Sequence, residues 1–296
     1  MIARAIAFSL FFLASSAALV VSFATIAGDG DTPLVMSVGK EGRGYWGIAS
    51  RLQSVGKEKG LTVEVVESEG SLENLQRLTD PQSPVALTLT QSDALNQFLS
   101  TSPELAPSVE ILEYIGLECV FIIADNDSKI HSDEDLMRAD GQRIAIRSAD
   151  SGTAATFAYM NLLEPELKNT SVVYVDPLQA MQNFDNANNA KVDAVMMVQR
   201  PKVRTPEILL ALERPGDFRF VELKSPKFSG ELPNGEKVYS FLDIPLLRER
   251  GNVTLSVNSI CTRGLLVASQ AKLIEAQRAV LKNIIDFDWM KVYATE

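Results

Sequence analysis

The run Arg143-Ile144-Ala145-Ile146-Arg147-Ser148-Ala149-Asp150-Ser151-Gly152-Thr153 places small polar residues where backbone chemistry is available. Its first residues alternate as a strand does, and the segment 148–152 suits a turn and a helix cap. From Thr153 a helix-forming run with Ala154, Ala155, Phe157, Ala158 and Met160 continues to Leu163. A strand that ends in Ser-Gly-Thr at a helix start leaves N–H groups without partners, and the helix dipole makes that end positive. Such a place takes an anion, for instance a ligand carboxylate. The same residues also describe an ordinary capped helix after an ordinary strand, and the stretch alone does not choose between the two.

Catalytic and metal chemistry find little support. The only histidine, His131, sits in a polar loop, and the only cysteines, Cys119 and Cys261, lack metal-ligand spacing. No Gly-x-Ser-x-Gly, Cys-His pairing or metal-spaced cluster is present, so an enzyme reading lacks its nucleophile, base or metal. No cofactor and no metal are implied. A net charge of −10 with a pI near 4.8 argues against a nucleic-acid surface.

The elements that must hold the Ser-Gly-Thr turn emerge from the alternation of patterns. The chain of 296 residues is 46% hydrophobic, enough for one large or two medium domains. Residues 5–27 form an uncharged apolar run after Arg4, which reads either as a signal peptide cleaved after Ala24 or as an uncleaved membrane anchor. Both readings export the body of the protein. Short strands at 34–38, 61–66, 85–89 and 143–146 alternate with helices starting near Tyr45, Ser71 (its own cap), Ser92 and Thr153. That order predicts an α/β fold with parallel strands covered on both faces. Ligands in such sheets lie beyond the C-terminal ends of the strands, which directs attention to loops 39–46, 67–74, 90–93 and 147–153. Further strands are expected at 111–124, 172–175, 192–198, 219–223 and 255–268, with a terminal helix over 271–290.

In that order the motifs resemble a known family, the TAXI-type solute receptors of tripartite ATP-independent periplasmic (TRAP) transporters, within the two-lobed type II periplasmic binding proteins. The glycine loop from Gly39 to Trp46 is similar to the family's loop leading to paired tyrosines. Glu69-Gly70-Ser71-Leu72-Glu73-Asn74-Leu75 resembles its Gly-Gly-Ser-x-Glu-Asn segment, and Gln91-Ser92-Asp93 matches its Gln-Ser-Asp. Gly141-Gln142-Arg143-Ile144 with Asp150-Ser151-Gly152-Thr153 matches its Gly-Lys-Arg-Val and Gly-Ser-Gly-Thr unit, and Val192-Asp193-Ala194 its Val-Asp-Ala strand. The likeness covers about residues 34–270. Departures fall in the same loops. Lys40, Glu41 and Arg43 stand among usually small residues, Arg147 where glycine is common, and Tyr45-Trp46 in place of two tyrosines.

The resemblance implies two lobes, each a mixed sheet flanked by helices, joined by two hinge crossings. Residues 32–124 with 258–296 would form one lobe and 125–257 the other. It implies a periplasmic receptor that binds a small carboxylated solute, an amino acid or organic acid, and passes it to membrane permease subunits. The alternative is a sensor or adaptor anchored through residues 5–27. Ser151, Gly152 and Thr153 would hold the carboxylate, and Arg43 or Arg147 would add a charge partner, unless these arginines are merely solvated. Tyr45 or Trp46 would wall the solute or simply pack at a helix start. Gly42, Gly70, Ser71, Asn74, Gln91, Asp93 and Gln199 complete the candidate ligand-binding set, with Ser71, Asn74 and Asp93 equally readable as helix-start residues. Because the crossing segments run side by side in this family's fold, Cys119 and Cys261 are expected to form a disulfide; the alternative is two buried thiols.

Overall fold

A computed structural model describes residues 32–293, apart from 139–140, 189, 232–234, 236 and 250–251. The apolar run 5–27 lies outside the described residues. Among the described residues no helix is long and apolar enough to cross a membrane.

The chain alternates β1 (Leu34–Gly39), α1 (Gly44–Glu58), β2 (Val63–Ser68), α2 (Ser71–Thr79), β3 (Val85–Gln91) and α3 (Ser92–Thr101), then enters β4 (Val109–Asp125). It continues through α4 (Asp133–Met137), β5 (Arg143–Ile146), α5 (Gly152–Leu163), β6 (Ser171–Tyr174), α6 (Pro177–Gln182), β7 (Ala194–Gln199), α7 (Pro206–Glu213) and β8 (Phe218–Val221). The hairpin β9 (Ser240–Glu249) and β10 (Asn252–Ser269) leads to α8 (Glu275–Asn283), a π-turn at Ile284–Asp288 and α9 (Trp289–Tyr293).

These strands make one curled sheet in the order β2-β1-β3-β10-β4-β7-β5-β6, with β8 beside β4 and β9 beside β10. Its two ends are parallel, β2-β1-β3 on one side and β7-β5-β6 on the other. The strands β10 and β4 run antiparallel to them in the middle. With 17 and 18 residues, these strands each reach roughly 55 Å at about 3.3 Å per residue, long enough to serve both ends. The first stretch of β4 pairs with β10, and its last residues pair with β7 and β8. Two lobes on shared crossing strands are the result.

Each lobe has apolar layers on both faces of its sheet. In the first lobe, Met36, Val38, Leu52 and Leu87 pack on one face, while Leu75, Leu78 and Val267 pack on the other. Every residue of β3 is buried, as a central parallel strand between two helical layers should be. In the second lobe, Phe121, Val195 and Ile208 face one layer and Ile122, Ile144 and Met160 the other. Truncating a fully buried leucine such as Leu52 to alanine is expected to cost about 2–5 kcal/mol.

Cys119 of β4 stands directly opposite Cys261 of β10, and the two are joined by a disulfide. The expected strands and helices are present, with corrections at three places. Ser71 is the first residue of α2 and Gly70 is its cap, so the serine hydroxyl is released for another partner. The terminal helix starts at Glu275 and is divided by the π-turn. The strand β9 is not expected from the sequence, where Pro245 spoils the strand pattern; the proline is tolerated because β9 pairs only with β10 and is an edge.

Candidate functional site

In a parallel sheet, the chain leaves each strand at its C-terminal end and enters the next helix there, so the helix N-termini gather on one side. Both lobes obey this, and their gathered ends face each other. Between them lies a cleft of about 380 Å³. The starts of α1, α2, α5 and α7 all line it, through Arg43 to Tyr45, Gly70 and Ser71, Ser151 to Thr153, and Thr205 to Glu207. Gln91 at the start of α3 and Pro177 at the start of α6 also reach it. A more open hollow of about 580 Å³ lies between α2 and α3, lined by residues such as Leu72, Gln76 and Phe98. It carries a single charged residue, Asp80, and none of the convergent helix ends, so the cleft is the stronger candidate.

On the first wall, Arg43 precedes α1 in extended conformation. Its guanidinium opens into the cleft, and no hydrogen bond or ion pair holds it among the described residues. Partial burial, and then the nearby Arg147, lower its pKa from the usual arginine range. The next turn points Tyr45 inward, where its hydroxyl donates to Glu118 Oε2 at 3.0 Å. Glu118, on β4, is 8% exposed. Burial is the largest influence on its carboxyl and pushes the pKa to about 7, against hydrogen bonds from Tyr45 and Gln91 and the charge of Arg200. Ser71 donates to Gln91 Oε1 at 2.8 Å, fixing the amide at the bottom of the cleft.

On the second wall, Ser151 caps α5: its Oγ accepts from the N–H of Ala154 at 3.1 Å and donates to the carbonyl of Ser148 at 2.7 Å. The hydroxyl is therefore occupied. Thr153 Oγ1 accepts from the N–H of Val198 at 3.2 Å, leaving its proton to donate. Arg147 lines the cleft but is held by Asp176 and, at 3.5 Å, by the buried Glu207. Arg200 follows β7 into the cleft with a buried Nε that has no hydrogen-bond partner. Buried polar groups rarely stay unpaired, so this atom invites a ligand or water.

The lobes touch across the cleft. Leu72 N–H donates to the carbonyl of Asp150 at 3.3 Å, and the Tyr239 hydroxyl donates to Asp93 at 2.9 Å. Gly70, at φ +147°, lies so close to the other wall that a Cβ there would stand 2.9 Å from the Cα of Ser151. A Cβ on Gly152 would stand 2.0 Å from Gln91 Oε1. Both glycines permit an approach that any side chain would block. This is a closed arrangement.

No family model matches the chain, and no curated protein matches it. Among solved structures, it is similar to a protein of Bordetella bronchiseptica RB50 at 15% identity, over 86% of this chain and 70% of that one, with a TM-score of 0.50. It is similar to the Escherichia coli periplasmic aliphatic sulphonate binding protein SsuA at 16% identity, over 88% and 72% of the two chains, with a TM-score of 0.49. The substrate binding protein of an amino acid ABC transporter gives 10% identity, 89% and 96% coverage and a TM-score of 0.48. With a TM-score of 0.50, the Bordetella protein shares the two-lobed α/β fold described above. Identities this low speak to the fold and not to a ligand.

Within this two-lobed frame, Gly42, Arg43, Tyr45, Gly70, Ser71, Gln91, Arg147, Ser151, Gly152, Thr153 and Gln199 all line the cleft. Trp46, Asn74 and Asp93 do not. Trp46 is half-buried against the first lobe's core because it faces the sheet on α1. Asn74 is fully buried, accepting from Ser37 and Ser68 and donating to the carbonyl of Leu89, which ties α2 to the ends of β1, β2 and β3. Asp93 is fully buried among the hydroxyls of Tyr239 and Thr262 and the N–H of Ala94. Sequence reasoning missed Glu118, Arg200, Arg204 and Glu207. Glu118 carried a usable signal, a single acid in the apolar run Ile115-Gly116-Leu117-Glu118-Cys119-Val120-Phe121.

Proposed function

We propose that this chain is an exported, periplasmic solute receptor of the TAXI type, closing its lobes on a small anionic solute and passing it to the permease subunits of a TRAP transporter. The observation that carries the reading is the convergence of the N-termini of α1, α2, α5 and α7 on one interlobe cleft, together with Arg43 and Arg200, which form no ion pair among the described residues. Helix ends and arginines together favour a carboxylate or another compact oxyanion. The free N–H groups of Gly152 and Thr153 and the Thr153 hydroxyl would bind one end of the solute. Arg43 is the better charge partner, since Arg147 already serves Asp176 and Glu207. The hinge runs through β4 and β10 near Cys119 and Cys261; the expected boundaries after 124 and before 258 shift there, because the end of β4 from Cys119 on and Ile260 of β10 pack with the second lobe. Nothing in the cleft pairs a nucleophile with a base, which favours a receptor over an enzyme.

A thermal-shift screen of the protein lacking its apolar leader, against amino acids, dicarboxylates, 2-oxo acids and alkyl sulfonates, tests this reading. A solute that binds only the folded state raises the midpoint by mass action. A rise of several degrees for one class, lost in Arg43→Ala, is the expected result. No response to any anion would contradict it. The run 5–27 also supports an anchored sensor on the same fold; an intact Met1 in the membrane fraction would favour that version, and a mature N-terminus near Thr25 the free receptor.

A further inference from the structure

We propose that the cleft takes up its anionic solute together with a proton, and that Glu118 holds that proton. The inference rests on the receptor reading above and concerns how the same cleft is tuned. Glu118 projects from the hinge-crossing strand β4 into a cavity where four helix N-termini, Arg43 and Arg200 attract negative charge, while the lining acids Glu69 and Glu207 are paired with Lys40 and Arg147. An anion seated on the ends of α1, α2, α5 and α7 would share a small, water-poor space with this carboxylate. The repulsion between them is relieved if one of the two becomes neutral.

The groups around Glu118 make it the one that yields. Tyr45 on α1 donates to it, and Gln91 at the end of β3 supplies a second hydrogen bond without charge. Asp93 on α3 is a buried acid nearby and opposes its ionisation. From the other lobe Arg200 favours ionisation, and on α9 the hydroxyl of Tyr293 feels both Glu118 and Arg200. Thr262 of β10, opposite in the ladder, carries no charge. One cation therefore faces two acids, before any solute arrives. Burial already brings Glu118 to about 7, so neutral solution leaves it half protonated and a further push from a bound anion completes the change. The neutral carboxyl can keep accepting from Tyr45 and gains an O–H to donate to the anion.

The test is calorimetric titration of wild type and Glu118→Gln with succinate, 2-oxoglutarate, L-glutamate and ethanesulfonate at about pH 6, 7 and 8, in buffers of different ionisation enthalpy. Wild type should bind one of these with proton uptake, and its affinity should fall up to about tenfold between pH 7 and 8, with a smaller change between 6 and 7. Glu118→Gln, which keeps the hydrogen bond and cannot titrate, should bind the same anion without proton uptake and with affinity flat within about twofold over that range. A flat wild-type profile, proton release, or a pH dependence that survives in Glu118→Gln overturns the proposal and leaves the receptor reading intact. The wild-type profile decides the matter even if the variant folds poorly. Absence of binding by every anion in both proteins overturns the receptor reading itself, and this proposal with it.

Discussion

On the wall built by the first lobe, Arg43 stands in the cleft with no partner among the described residues, while on the opposite wall Arg147 is held by Asp176 and Glu207. Both residues are arginines at the C-terminal edge of a parallel sheet, and both face the same cavity. The difference lies in the segments into which the strands lead. After β1 the chain turns through a glycine loop whose one acid, Glu41, is exposed, whereas after β6 and β7 it enters helices that carry Asp176 as the cap of α6 and Glu207 in the first turn of α7. A charge that is already satisfied organises its wall; a charge left over is free to organise a ligand. On the proposed reading Arg43 serves recognition, while Arg147 ties α6 and α7 to the end of β5 through Asp176 and Glu207.

The hinge separates the contributions of the two walls from the stability of the whole. Replacing Cys119 and Cys261 by serine releases a loop of 142 residues, with an expected loss of about 5 kcal/mol. The melting midpoint should drop by roughly 10 °C or more, since each kcal/mol is worth about 2–4 °C at this size. Solute affinity measured well below that midpoint should change only about twofold, because neither wall is altered. A large loss of affinity would show that the hinge bond sets the closed geometry as well as stability.

Arg43→Ala comes next, with a fall in affinity of about tenfold to a hundredfold from loss of a charge-assisted contact. Its apo midpoint should stay within about 1–2 °C of wild type. The glycines that let the walls meet sharpen the contrast further. Gly70→Ala should cost more than Gly152→Ala, since Gly70 combines φ +147° with a backbone neighbour while Gly152 faces the end of the Gln91 side chain. Small-angle scattering of Gly70→Ala should show an opened molecule, and titration a loss of at least about tenfold. A closed envelope in both variants would remove the idea that these glycines set the approach.

The smallest effect concerns pH. Glu118 titrates higher when folded than a free glutamate does, so its share of stability is fully present below the ordinary carboxylate range and is lost as pH rises toward about 7. The solute-free midpoint should therefore decline across that window, and Glu118→Gln should reduce the decline. A midpoint that is unchanged by the substitution at every pH would show that Glu118 is not buried as described.

Much of this arrangement could be read from the chain. Ser-Gly-Thr after an alternating run, Gln-Ser-Asp after Val85-Ala86-Leu87-Thr88-Leu89, and the glycine loop before Tyr45 each mark a helix start at a strand end, and those starts meet in the cleft. What could not be read was the direction of polar side chains at such starts. Asn74 and Asp93 have the same sequence signature as cleft residues, yet both point into the lobe or toward the hinge, where backbone carbonyls and hydroxyls satisfy them. Arg147 was legible as a cleft residue, but its partners lie 29 and 60 positions away, on helices whose packing only the fold supplies. Glu118 left a signal, a lone acid inside an apolar strand, but such a residue also reads as an exposed alternate position until β10 and α1 are packed around it.

The central claim is that a compact anion is held in the interlobe cleft by the charge left free on the first wall. Its most direct test is parallel titration of wild type, Arg43→Ala and Arg147→Ala with the tightest-binding anion of the thermal screen, alongside the midpoint of each solute-free protein. The account predicts that Arg43→Ala loses affinity by at least about tenfold at unchanged midpoint. It predicts that Arg147→Ala loses a few °C of midpoint, because Glu207 is left buried and unpaired, with a smaller change in affinity. The reverse pattern, with binding abolished in Arg147→Ala and untouched in Arg43→Ala, would contradict it.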